Sequence, residues 1–262
     1  MTALDDLSPI PFHEASEIAR ARILSRLADT ELYVALTAEP SHDRAEMEIF
    51  DLSGTTSALA CDTEDRLAGF FGRAVAYAAM PGRVLAAMLA QEGHALLVNP
   101  GQPSEMFLDG GALDWLGQAL ANTPDEGGTL RPSWMTAPTP EAVSLFIEPL
   151  SQRLSDMAGL ASRAALVAAV WPDGRRGHLL LIHGCTEDRR PALAKAFAEL
   201  FAFLPPIEGG VDVGFSEVEL PQGALLLEVP EPPAPEPAPK RDPLCRHVCA
   251  KDRRAACFPE HR

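Results

Sequence analysis

Residues 62–116 read DTEDRLAGFFGRAVAYAAMPGRVLAAMLAQEGHALLVNPGQPSEMFLDGGALDWL, and the order of signals inside them decides the fold class. Asp62 or Thr63 caps a helix, and Glu64 and Asp65 suit its positive end. Ala74 to Met80 reads as a short buried segment. Pro81 is placed as the first residue of the next helix, Val84 to Gln91. Gly93 ends that helix, because a left-handed cap favours glycine. Ala95 to Val98 is a strand, Asn99-Pro100-Gly101 turns the chain, and Asp109 caps a helix carrying Leu113, Trp115, Leu116 and Leu120. Helices and strands therefore alternate in tight succession.

The same pattern extends outward. His13 to Ala28 has apolar residues near helical spacing, Glu31 to Leu36 is a β-rich run, and Glu46 to Leu52 and Thr55 to Cys61 pair as strands across Ser53-Gly54. Asn122 to Pro140 then breaks the rhythm with Gly127-Gly128 and four prolines, a linker composition. Beyond it the sequence predicts a helix over 141–160, a hairpin of 164–171 and 176–183 around Pro172-Asp173-Gly174, a helix over 190–203, and strands at 211–215 and 224–229. From Pro230 the chain reads PEPPAPEPAPK and ends in RDPLCRHVCAKDRRAACFPEHR. The expected class is α/β (α+β-like): two small mixed helix–sheet halves at 1–122 and 141–229, a linker at 123–140, and a Pro-rich linker with a disordered, basic, Cys-containing tail at 230–262.

Charge narrows the partners. From Lys240 onward seven Lys/Arg face three Asp/Glu, a net +4; the preceding 239 residues hold 15 basic and 34 acidic groups, a net −19. So acidic a body repels phosphate backbones and anionic lipid, which argues against nucleic-acid or membrane binding. No basic region followed by an apolar run opens the chain, and no apolar segment approaches the roughly 20 residues a membrane span needs. Of five cysteines, only Cys61 and Cys185 lie in the body, which points to the reducing cytoplasm.

The pieces LADTELYVAL (27–36), DTEDRLAGF (62–70), YAAMPGRVLAAML (77–89) and LLVNPGQPSEMFL (96–108) together resemble the N-terminal domain of the SseB, or enhanced serine sensitivity, family. The resemblance covers roughly residues 15 to 120, and the second half is similar to the C-terminal half of longer members. It implies a cytosolic bacterial protein linked to serine tolerance, with no established catalytic residues to carry over.

Three groups of residues are candidates for function. Asn99, Pro100, Gly101, Ser104 and Glu105 form the most distinctive loop, beyond the carboxyl end of a strand where α/β sheets often bind ligands; the plainer reading is a tight turn chosen for its backbone angles. His183 and Cys185 share a strand face, as a thiol–imidazole pair requires, but side chains two apart diverge by roughly 7 Å unless Gly184 bends the chain. His178 falls on the opposite face from His183. In the tail, Cys245, His247, Cys249 and Cys257, with His261, could supply N/S ligands to zinc, yet only one short paired spacing exists, and a basic tail without metal is the plainer reading. No Gly-x-Gly-x-x-Gly, phosphate loop, His-Glu-x-x-His or Gly-x-Ser-x-Gly motif is present. The expectation is a non-catalytic interaction or regulatory protein with no cofactor and another protein as partner. An enzyme of small-molecule or thiol metabolism using Cys185 and His183 is the alternative.

Overall fold

Four helices start where the sequence supplies a cap. The Ser16 hydroxyl accepts from the Ala19 amide, Thr63 from Arg66, the Asp109 carboxylate from Ala112, and Thr139 from Ala142. Each satisfies an amide that the first helical turn leaves without a partner. The computed structural model describes residues 1–39, 45–122, 131–215 and 217–230. Its first part runs α1 (Ala3–Asp6), α2 (Glu17–Asp29), β1 (Glu31–Ala35), β2 (Ile49–Leu52), β3 (Thr55–Cys61), α3 (Glu64–Phe71), β4 (Tyr77–Pro81), α4 (Gly82–Glu92), β5 (Ala95–Val98), β6 (Met106–Leu108) and α5 (Gly110–Leu120). Its second part runs β7 (Trp134–Thr136), α6 (Pro140–Asp156), β8 (Arg163–Val170), β9 (Arg176–His183), α7 (Arg190–Ala202), β10 (Val211–Gly214) and β11 (Leu225–Glu228). Among the described residues, seven α-helices and two mixed sheets make this an α+β fold.

The first sheet has the order β4-β1-β3-β5-β6, with β2 sharing an edge of β3 with β1. Only the β3–β5 pair is parallel, and α3, β4 and α4 make the crossover it needs. The second sheet has the order β10-β9-β8-β11, and β7 continues the β8 edge beyond β11. The β8–β9 hairpin closes around Pro172-Asp173-Gly174, with Gly174 at positive φ as the turn demands.

Two details depart from the sequence expectation. Pro81 closes β4 opposite Glu31 and caps α4 rather than entering it. Its ψ of 140° is extended, and a strand's last residue can dispense with the amide that proline lacks. Gly82 then begins α4 because an added Cβ would lie 2.1 Å from the Leu27 carbonyl oxygen, so only glycine lets α4 start against the end of α2. Second, Trp134–Thr136, inside the Pro-rich stretch, pairs with β8 as a three-residue strand, too short for its periodicity to show.

One face of the first sheet carries the main core. Leu32, Val34, Ala58, Ala60, Leu96 and Val98 pack there under α2, α4 and α5. Phe203, just past α7, enters the same core and meets Trp115 edge to face at 5.5 Å. The second sheet buries Leu166, Leu180 and Ile182 against Phe146 of α6 and Phe197 of α7. Both sheets lie in one compact unit, Met1–Pro230. Ion pairs join them: Arg22 to Glu148 (2.7 Å), Arg26 to Asp156 (2.7 Å), Arg153 to Asp29, and Arg83 to Glu199, with Asp29 also holding Arg83. Among the described residues no helix is long and apolar enough to cross a membrane.

Candidate interaction surface

The loop after β5 turns inward. Asn99 is wholly buried with φ of 48°, a left-handed conformation that asparagine tolerates better than most residues. Its Oδ1 accepts from the Asp62 amide (2.9 Å), and its Nδ2 donates to the Ser104 hydroxyl (2.9 Å). Ser104 in turn donates to Asp5 (2.6 Å). Arg66 closes the network, bonding Asp62 at 2.9 Å and pairing with Asp5, while the Thr2 hydroxyl donates to Asp62 (2.5 Å). Burial alone would raise the Asp5 carboxyl, but hydrogen bonds from Arg66, Ser104 and the Thr2 amide hold it far below the usual carboxylate range. Asn99 and Ser104 thus fasten the N-terminal segment to the sheet. Pro100, Gly101 and Glu105 stay at the surface, where Glu105 accepts from the Gly101 amide (2.5 Å).

A cleft of about 520 Å³ lies beside this network, lined by Thr2, Arg26, Asp29, Asp62, Arg153 and Asp156 among others. Its charges are spent on each other: Arg26 holds Asp156 and Arg153 holds Asp29. The cleft reads as the joint between the two sheets. Among the described residues no three His, Cys, Asp or Glu side chains could hold a metal ion together.

The other face of the first sheet is different. Tyr33, Leu59, Cys61 and Leu97 point there, opposite the main core, with Leu67 and Phe71 of α3 packed on them. Register adds Leu52 opposite Thr55, Phe50 opposite Ser57, and Phe107 opposite Leu97, because paired residues share a face. Among the described residues α3 is the only helix over this face, and it contacts β1 and β3. The far side stays open: Leu52 is 37%, Phe107 44% and Phe70 51% exposed. Both of the chain's tyrosines and four of its eleven phenylalanines gather here, in a sequence only 6% aromatic. Tyr33 and Tyr77 stand edge to face at 5.3 Å, and Phe71 lies 6.1 Å from Phe50. Each tyrosine hydroxyl donates to a carboxylate, Tyr33 to Glu31 (3.3 Å) and Tyr77 to Glu64 (3.0 Å).

This sheet with its helices coincides with the match to a known family: residues 12–115 fit the family model described as SseB protein N-terminal domain. Residues 12–115 are therefore called the SseB domain, by this similarity. No curated protein and no solved structure matches the chain. The SseB domain contains the whole first sheet, both tyrosines and all of α3, whereas the second sheet lies outside the matched residues.

Outside the SseB domain, the thiol–imidazole pair is not assembled. Gly184, at φ of 70°, turns the chain so that Cys185 packs with the core formed by Leu180 and Ile182 under α6 and α7. His183 lies on the opposite side of β9, buried, and neither ring nitrogen has a hydrogen-bond partner among the described residues; the Glu217 carboxylate is 3.7 Å from Nδ1. His178 is on the same side as Leu180, also buried and, among the described residues, also without a partner for its ring nitrogens. Burial alone lowers its pKa. Within the SseB domain, Cys61 is pushed up to about 11, first by burial and then by the Asp62 charge, so its thiol is a poor nucleophile. The tail candidates Cys245, His247, Cys249, Cys257 and His261 lie outside the described residues. Sequence reading missed the open aromatic face. Its signal was present in the parity of Tyr33, Phe50, Leu97 and Phe107 on their strands, but only the helix positions tell which face is left open.

Proposed function

We propose that this chain is a non-catalytic cytoplasmic interaction or regulatory protein, and that the open face of its SseB domain is where it meets another protein. The single observation behind this reading is that uncovered sheet face. Exposed Leu52, Phe70 and Phe107 border a cluster that gathers six aromatic side chains in an aromatic-poor chain, and apolar surface of that kind marks interaction sites. Polar groups elsewhere support it, since the buried carboxylates Asp5, Asp62 and Glu199 are tied to arginines in structural networks. Free thiols at Cys61 and Cys185 agree with a reducing compartment. The link to serine tolerance rests on family resemblance of the first half alone.

The test is retention of proteins from source-cell lysate on immobilised full-length chain, compared with Leu52→Ser/Phe107→Ser. Both positions are exposed, so the fold survives the change. The reading expects a reproducible set of proteins held by the parent chain and released by the double variant. Equal retention by the two would refute it.

A further inference from the structure

We infer that the open face of the SseB domain is built for a cationic segment of a partner protein, one that sets an arginine or lysine against Tyr33 and Tyr77 and an apolar side chain against Leu52, Leu97 and Phe107. This rests on the reading above and names the partner's chemistry.

Geometry at the tyrosine end supplies the cation site. Tyr33 and Tyr77 lie on paired antiparallel strands, and their rings meet edge to face. Glu31 shares the face with Tyr33 by strand alternation, and Glu64 comes from the first turn of α3. Their carboxylates hold the two hydroxyls, which places two negative charges and two electron-rich rings around one spot. Among the described residues no arginine or lysine pairs with either carboxylate. The tyrosine hydroxyls register the same crowding. Tyr33 is raised first by the charge of Glu31, and Tyr77 first by its hydrogen bond to Glu64. A guanidinium or ammonium over these rings gains cation–π attraction and both carboxylates together. The face already accommodates one guanidinium: Arg73 sits 5.8 Å from the Phe71 ring centroid.

Charge also decides between occupants. A second copy of the chain would bring Glu31 and Glu64 against an equally acidic body, 34 acidic against 15 basic groups before Lys240. Like charges brought together across an interface are costly, whereas a basic partner is steered toward such a surface. Phe107 and Leu52 lie away from α3 on the β6 and β2 sides, so an occupant must carry apolar and cationic groups together.

The probe is a short capped peptide of alternating arginine and leucine, titrated into the full-length chain by calorimetry at low and moderate salt. A glutamate–leucine peptide serves as control. Binding of the arginine peptide is expected to weaken roughly tenfold in Glu31→Gln/Glu64→Gln, whose surface changes leave the fold intact, as two charge contacts are lost while both tyrosine rings remain. It should weaken again in Leu52→Ser/Phe107→Ser. Equal binding to the Glu31→Gln/Glu64→Gln variant would mean general attraction to an acidic body and overturn the inference. So would equal binding of the glutamate peptide, or a concentration-dependent dimer that Phe107→Ser dissolves. If lysate proteins are released by Leu52→Ser/Phe107→Ser but not by Glu31→Gln/Glu64→Gln, the face remains the interaction site and the cationic partner is wrong.

Discussion

Arg83 and Glu199 stand 116 residues apart in the chain and are joined by hydrogen bonds to both carboxylate oxygens, at 3.2 and 3.3 Å. Glu199 lies on α7 and is 3% exposed; Arg83 is in the first turn of α4 and reaches Asp29 as well. Lys195 approaches Glu199 only at 3.8 Å. Arg83→Met therefore strands a buried carboxylate, at a cost of about 3–5 kcal/mol. Adding Glu199→Leu removes the stranded charge, so the double variant is expected to be more stable than Arg83→Met alone. Urea unfolding of the three proteins checks this, and additive losses would contradict it.

How much of this was legible beforehand depends on where each signal resides. Helix starts at Thr63 and Asp109 and the Pro172-Asp173-Gly174 turn carry their causes within a few residues, and all are found where the sequence places them. The three-residue strands β6 and β7 are too short to show a period, and both depend on a neighbour to pair with. The Asn99 loop stood out as a turn beyond the carboxyl end of a strand, but the burial of Asn99 and Ser104 is set by Asp5, a residue 99 positions from Ser104. The open face depends on helices α2, α4 and α5 all choosing the other side of the sheet, which no local pattern announces.

Asn99 offers a test that separates backbone from side chain. Asn99→Gly relieves the left-handed φ but loses both hydrogen bonds; Asn99→Ala loses them and keeps the strain. Losing bonds to buried groups costs about 1–3 kcal/mol each, and the alanine adds roughly 1 kcal/mol for its conformation. The glycine variant is expected to melt below the parent and above the alanine variant. If alanine equals the parent, the network around Asp62 and Ser104 is not holding the loop.

Asp5 makes the protein acid-sensitive in a defined window. Its folded pKa is depressed far below the ordinary 3.8, so the unfolded chain takes up the proton first as pH falls. The stability it contributes is complete above the ordinary carboxylate range and is lost progressively as pH drops below about 4. Asp5→Asn should lower stability at neutral pH, since Arg66 loses a partner, and flatten the fall below pH 4. Thermal melts from pH 7 to 3 read both effects. A parallel acid slope in parent and variant would show that Asp5 is not the group responsible.

His178 acts in a higher window with the same sign. It lies in β9 between Ala168 of β8 and Val211 of β10, and neither ring nitrogen finds a partner among the described residues. Burial lowers its pKa below the ordinary 6.5, so the folded protein keeps it neutral while the unfolded chain protonates. Stability is then full above pH 6.5 and declines as pH falls toward the depressed folded value. Replacing a buried polar ring that makes no hydrogen bond by an apolar side chain also removes a desolvation cost of about 1–3 kcal/mol. His178→Leu is expected to raise the melting temperature at pH 7 and to shrink the loss of stability between pH 6.5 and 5. The comparison of slopes decides the cause: a variant that is more stable yet keeps the parent's pH dependence would leave packing as the gain and assign the proton uptake to another group.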